Sequence, residues 1–238
     1  MQPATSSERD PAAARLDRAT ENELYALYRA YFSEAETKRN WNLWEDIPWD
    51  HARPGPPAPL VEAVMETLRA EIFLPDYSRH SLRVLRASRG RTWFMTRWSY
   101  EESKHQIALC EWLMATGAAT EPELRDLTDD LLAQNAWQPP DEDGVAFVVD
   151  ALLYELREIE RYSNLRSLAA DAKDDALCAV VDRVLADERA QRAFFAQTLA
   201  IIAEKYGEQV AAAVARVADL QPDPAKAKQE MEAALARA

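Results

Sequence analysis

The chain has 238 residues, enough for one large domain or two small ones and for a full hydrophobic core. It carries 41 acids against 28 bases, a formal charge of −13, which argues against nucleic acid as its main partner. Five glycines and long stretches rich in Ala, Glu, Leu and Arg predict an all-helical protein, and the two cysteines, Cys110 and Cys178, fall inside helical patterns with no sign of a disulfide framework.

Residues 1–19 are polar and lack the apolar segment of a signal peptide, so we expect a disordered tail ahead of one helical domain over 20–238. No apolar run approaches a membrane span, and the expected location is the cytoplasm. Thr20 followed by Glu23 reads as a capping box opening a helix to about Lys38. The segment "RNWNLWEDIPWDHARPGPPAP" holds three tryptophans and five prolines and reads as an ordered loop packed on the bundle. A helix is predicted from about Pro59 through Glu71. Pro75 kinks or ends it, because proline cannot donate the helical hydrogen bond; the pattern resumes to Ser88 and is broken at Gly90.

The next predicted helix is Thr92–Thr116, stopped at Gly117. Thr120, Pro122 and Glu123 start a shorter one to about Gln134, and "WQPPDEDG" is a loop. Long helices follow over about Val145–Ala170 and Asp174–Tyr206, the latter stopped by Gly207. Two shorter ones come after, separated by "QPDP". The predicted core is four long helices, near 60–87, 92–116, 145–170 and 174–206.

Charge is unevenly spread. Arg79, Arg83, Arg86, Arg89, Arg91 and Arg97 are uninterrupted by any acid, and setting these six aside from −13 leaves the rest of the chain at −19. Such an island is either a docking site for an anion or acidic partner, or a solvated helix end.

Each long helix carries a carboxylate in the middle of its apolar stripe. Met95, Trp98, Leu109 and Trp112 flank Glu102 and His105. Val64, Leu68 and Leu74 flank Glu71. Val148, Leu152, Ile159 and Tyr162 flank Glu155. Val181, Val184, Leu185 and Phe195 flank Glu188 and Gln191. One unpaired buried carboxylate costs several kcal/mol. Four would exceed the roughly 5–15 kcal/mol that holds a domain together. No matching lysines or arginines share these stripes, so the economical compensator is metal, and carboxylate plus imidazole suits iron or manganese. Helix-bundle di-metal proteins take a Glu from each of two helices and Glu-x-x-His from each of the other two. Glu71 and Glu155 are the single glutamates here; Glu102-Ser-Lys-His105 is one pair; Glu188-Arg-Ala-Gln191 stands in the place of the other, with glutamine where histidine is expected.

With these residues the chain resembles the soluble acyl-carrier-protein desaturases, which are ferritin-like di-iron enzymes. "EESKH" (101–105) is similar to that family's Glu-Glu-Asn-Arg-His, "EIFLPDY" (71–77) to its Glu-x-x-Leu-Pro-x-Tyr, and "ADERAQ" (186–191) to its Asp-Glu-Lys-Arg-His without the histidine. The resemblance covers roughly Trp41 to Ala215, and the spacings from Glu102 to Glu155 and from Glu155 to Glu188 agree with the family's. It implies a ferritin-like bundle and two iron ions (Fe²⁺/Fe³⁺, with manganese as an option). It implies metal ligands at Glu71, Glu102, His105, Glu155 and Glu188, and an electron route through Trp41, His105 and Asp187. It further implies a homodimer that takes electrons from a ferredoxin-type donor. The substrate would be an acyl chain on acyl carrier protein, docked at the Arg79–Arg97 island.

Three departures bear on the reading. Gln191 replaces a ligand histidine; as a neutral oxygen donor it either binds metal weakly, binds through water, or hydrogen-bonds a ligand carboxylate. Glu158, where the family has a small hydroxyl residue, is an extra ligand, a proton donor or a solvent-facing glutamate. Only 47 residues follow Gln191, so the family's later helices are expected to be missing or reduced. Another oxidation on the same site, such as hydroxylation or N-oxygenation, and a metal- or carrier-binding relative without desaturation are the competing readings. His51 is expected at the surface. His80 lies nine positions past Glu71, about 180° away on an unbroken helix. Cys110 is expected to be a packed thiol.

Overall fold

A computed structural model describes residues 16–134 and 142–238. The expected N-terminal tail as far as residue 15, and residues 137–141 of the expected "WQPPDEDG" loop, lie outside the described residues. The helices are α1 (Arg18–Glu34), α2 (Ala58–Glu71), α3 (Leu74–Val84), α4 (Arg89–Ala115), α5 (Glu121–Gln134), α6 (Gly144–Asp171), α7 (Asp175–Asp219) and α8 (Pro224–Leu235). A π-helical turn, Ala35–Arg39, extends α1, and a 3₁₀ turn, Trp49–His51, interrupts the Trp/Pro segment. There is no strand among the described residues.

The core is the predicted set of four: α2 with α3, then α4, α6 and α7. α6 and α7 make the most extensive pairing, α1 lies against α4 and α7, and α8 against α6 and α7. The Trp/Pro segment packs as expected, with Trp41, Leu43 and Ile47 buried.

Helix ends follow side-chain capping of otherwise orphaned backbone groups. At the predicted start of α5, Thr120 donates through both its backbone N–H and its hydroxyl to Glu123 Oε2, at 2.8 and 2.7 Å. Asp143 caps α6 by accepting from Val145 and Ala146. Asp174 caps α7 by accepting from Leu177, and it also accepts from the Trp112 indole. Gly117, at φ +73, ends α4 in the left-handed conformation expected of it.

Three boundaries differ from the sequence expectation. The cap of α1 is Asp17, not Thr20; its carboxylate accepts from the Ala19 and Thr20 amides and from the Thr20 hydroxyl. Pro75 does not end a helix but sits in the first turn of α3, where its missing N–H costs nothing, and the break falls at Ile72–Phe73. Gly90 lies inside α4, buried where α1 crosses: a Cβ there would come within 2.5 Å of the Leu24 carbonyl. The expected boundary at Tyr206 is present: Tyr206 leaves the helical conformation (φ −121, ψ 36), and α7 continues beyond this kink as a second helical stretch to Asp219.

The arginine island is partly consumed by the fold. Arg91 is buried against Glu21, Arg97 pairs with Glu36 and Glu101, Arg83 pairs with Glu142, and Arg89 lies over the Tyr25 ring. The exposed positive surface is therefore Arg79, Arg83, Arg86 and Arg89, four of the six expected.

The apolar core falls into two clusters. One gathers Leu24, Phe94, Trp98, Phe147 and Phe194; the other gathers Leu68, Leu109, Trp112, Tyr162 and Leu185. Each core helix crosses from one to the other, and the acidic stripe residues lie at the crossing.

The α1/α4 contact gives a direct test. Gly90→Ala places a methyl against main-chain atoms that cannot move aside, and is expected to cost about 1–3 kcal/mol in urea unfolding. Gly207→Ala meets nothing within 4 Å. It is expected to be neutral or to stabilise by about 0.5–1 kcal/mol.

Candidate metal centre

Between the two apolar clusters lies a polar layer. Glu71 at the end of α2, Glu102 and His105 on α4, Glu155 and Glu158 on α6, and Asp187, Glu188 and Gln191 on α7 are all buried. Glu71, Glu102, His105 and Glu188 each turn one donor atom to a common point, all within 4.8 Å of one another. His105 Nδ1 is 3.4 Å from Glu102 Oε1 and 3.3 Å from Glu188 Oε1. Glu155 and Glu158 stand beside this group rather than inside it, close enough to Glu188 and Glu102 to repel them.

The inner atoms lack partners. Both oxygens of Glu102 and of Glu188, both ring nitrogens of His105, Oε2 of Glu155 and of Glu158, and Oε1 of Gln191 are buried with no hydrogen-bond partner among the described residues. The outer atoms are tied down. Trp98 Nε1 donates to Glu155 Oε1 (2.9 Å) and the Tyr162 hydroxyl to Glu71 Oε1 (2.7 Å). Glu158 Oε1 accepts from Arg161 at 2.6 Å. Glu71, Glu155 and Glu158 are thus oriented by hydrogen bonds while Glu102, Glu188 and His105 keep their donor atoms open, an arrangement of oxygen donors and imidazole that fits metal coordination.

A supporting layer crosses between helices. Asp187 of α7 lies behind His105 of α4, with Oδ2 3.5 Å from Nε2. It accepts from Trp41 Nε1 at 2.9 Å and from Arg39 Nη1 at 2.5 Å. Trp41, Asp187 and His105, the expected electron route, are therefore contiguous. Glu101 of α4 lies behind Gln191 of α7: it accepts from Gln191 Nε2 (3.2 Å), the Tyr31 hydroxyl (2.5 Å) and Arg97 Nε (2.9 Å). Sequence reasoning missed Glu101, Tyr31 and Arg39. The signal available was the acid that precedes the stripe glutamate in both "EESKH" and "DERAQ".

Of the alternatives, a solvent-facing Glu158 is removed: its side chain is 1% exposed. His51 is exposed, and His80 is buried beside Arg83 and Phe147. The Cys110 thiol is half-buried, and burial pushes it up to about 11, which makes it a poor nucleophile.

Burial and mutual repulsion dominate the protonation of the layer. Burial, then the charges of Glu102 and Glu158, hold Glu71 well above the carboxylate range. Burial and Glu188 push Glu102 up to about 7. Burial and Glu188, opposed by Arg161, push Glu158 up to about 8. Burial opposes charge on His105 too, but the carboxylates of Glu102, Asp187 and Glu188 outweigh it and hold the imidazole above its ordinary range. Asp187 is held low despite burial by His105, Trp41 and Arg39.

These features define a ferritin-like helical bundle with a buried carboxylate–histidine cluster able to hold a metal ion. The comparison with solved structures agrees on the fold. The chain is similar to the candidate acyl-ACP desaturase DesA2 from Mycobacterium tuberculosis H37Rv, with a TM-score of 0.57 and 20% identity over 92% of this chain and 86% of that one. No family model and no curated protein sequence matches. No helix among the described residues is long and apolar enough to cross a membrane.

The raised carboxylates set the pH behaviour of the metal-free protein. A glutamate near 4.5 when unfolded and at about 7 or 8 when folded binds its proton more tightly in the folded state. Its contribution is therefore complete below about 4.5 and is lost as pH rises through 7 to 8. Thermal melts of metal-free protein are expected to show falling Tm from pH 5 to pH 8, and Fe²⁺ to reverse the fall by occupying the charged carboxylates. Identical melts at pH 8 with and without Fe²⁺ would count against a metal site.

Proposed function

We propose that the chain is an O₂-dependent di-iron oxidoreductase of desaturase-like type. The observation that carries the reading is the set of oriented carboxylates and one imidazole whose inner donor atoms face each other unpaired in the dry centre of the bundle. Iron bound there supplies oxygen activation for attack on an unactivated substrate position. The chain's own part is to hold the donors, exclude water with the apolar clusters on either side, and connect His105 to the surface side through Asp187 and Trp41. Manganese is the second metal the donor set suits.

On this proposal Glu71, Glu102, His105, Glu155 and Glu188 are the ligands. Gln191 is engaged by Glu101, which supports a weak ligand role at most, through Oε1. Glu158 offers the donor that the missing imidazole would have supplied, while Arg161 offsets its charge. A cytoplasmic single domain, a homodimer, a ferredoxin-type donor and acyl carrier protein on the exposed arginines belong to the same proposal, by resemblance. A metal-binding protein without oxidase chemistry is the competing reading, and hydroxylation or N-oxygenation are competing outcomes on the same site.

Iron content and absorbance after anaerobic Fe²⁺ loading and exposure to O₂ test the proposal. Two irons per chain with a new near-ultraviolet band are expected; one iron or none supports the binding-only reading. In the same titration Glu158→Gln and His105→Ala are expected each to weaken one iron by about tenfold or more. Gln191→His should tighten the weaker one. An unchanged titration for Glu158→Gln would return Gln191 to the ligand set.

A further inference from the structure

A cavity beside the polar layer opens where α2 gives way to α3. The break at Ile72–Phe73 leaves a gap between α2/α3, α4 and α6 with a cavity volume of about 220 Å³, open in part to solvent. Glu71 and Glu102 form one side of it, which makes it the route by which a small molecule reaches the proposed metals.

The remaining wall has a definite chemistry. Phe73, Tyr77, Trp98 and Tyr154 line it, with ring centroids 5.0 Å apart for Tyr77–Trp98 and 5.8 Å for Tyr77–Tyr154. Behind these rings Phe147 closes the space, 5.2 Å from Tyr77. One carboxylate outside the ligand set, Asp150, stands in this aromatic wall. It is half-buried and has no hydrogen-bond partner among the described residues. Burial pushes it up to about 6, with Arg157 opposing. Arg157, two turns along α6, is the one cation in the lining, and its guanidinium is engaged at the exposed rim by Gln221 Oε1 at 2.6 Å. A partly desolvated carboxylate among electron-rich ring faces is complementary to an organic cation: the carboxylate supplies a charge-assisted acceptor and the rings a cation–π surface. The same wall disfavours the methyl end of a plain acyl chain, which would bury Asp150 without a partner.

We propose that this cavity binds a compact primary amine, its ammonium on Asp150 and its apolar body along Tyr77, Trp98 and Tyr154 toward Glu71 and Glu102. This rests on the oxidoreductase reading and names a free amine, in place of a carrier-bound acyl chain, as the substrate class of that site. It makes Asp150 the residue that selects the substrate.

The test uses 2-phenylethylamine and hexylamine against the matching acids, 3-phenylpropionate and hexanoate, titrated calorimetrically into the full chain with and without bound iron. The amines are expected to bind saturably and at least tenfold tighter than the acids. Asp150→Asn is expected to remove that preference while iron per chain and helicity stay as in the wild type. Asp150→Ser gives the same readout should the Asn variant fail to fold. Acids binding as tightly as amines, no binding by any probe, or amine affinity unaffected in Asp150→Asn would each overturn the proposal. Iron content is measured separately and the amine preference is also read without metal, so failure of the metal reading and failure of the amine reading are distinguishable.

Discussion

The structure depends on carrying five glutamates and a histidine through the middle of a helical bundle. Each core helix pays a desolvation penalty at the same level: Glu71 on α2, Glu102 with His105 on α4, Glu155 with Glu158 on α6, and Glu188 on α7 are all within 2% of full burial. A single such group, unpaired, would cost several kcal/mol. The bundle tolerates them together because the layer is bounded. Trp98 and Phe194 close one side and Leu68, Tyr162 and Leu185 the other, so each helix regains an apolar face within about a turn on either side of its acid.

Within the layer, compensation runs outward. The acids one position before the stripe, Glu101 and Asp187, face away from the centre and are held by hydrogen bonds: Glu101 by Tyr31, Arg97 and Gln191, Asp187 by Arg39 and Trp41, with His105 Nε2 3.5 Å from Asp187. Arg39 touches both, at 2.5 Å from Asp187 and 3.8 Å from Glu101. The π turn that carries Arg39 thus links the supports of α4 and α7, and α1 is part of the centre's machinery as well as of its packing. The stripe acids face inward and are left open. A layer stabilised only by protein would show the reverse, with its innermost oxygens the best paired.

The stripe acids were legible because helical periodicity is local: Glu102 and His105 fall on the Met95–Trp98–Leu109 face whatever surrounds them. The supporting acids were not, because their partners are distant. Tyr31 is 70 positions from Glu101 and Trp41 is 146 from Asp187. The Gly90 boundary failed for a related reason. Gly90 looks like a breaker in a window of sequence, but it is where the α1 backbone comes too close for any side chain, a tertiary cause that no local pattern carries. Pro75 was read in the right place and with the wrong sign, since proline is as good at opening α3 as at closing α2.

Gln191, standing where the helix-bundle di-metal pattern expects a histidine, fits the same outward compensation. An imidazole at that place would need an acceptor behind it, as His105 has Asp187. Glu101 is there, but it already accepts from Arg97 and from the Tyr31 hydroxyl, and Arg39 lies close by. With its charge so far neutralised, Glu101 gains little from an imidazole and is satisfied by the weaker amide of Gln191. On the proposed reading the donor lost on α7 is recovered on α6, where Glu158 turns one oxygen inward and gives the other to Arg161. A neutral ligand has then been traded for an ion pair, which changes the identity of one donor while leaving the net charge of the layer where a histidine would have left it. That balance requires Arg161 as much as Glu158. An arginine one turn from the site, half-exposed and unremarkable in sequence, is what allows a fifth carboxylate to be buried beside four others.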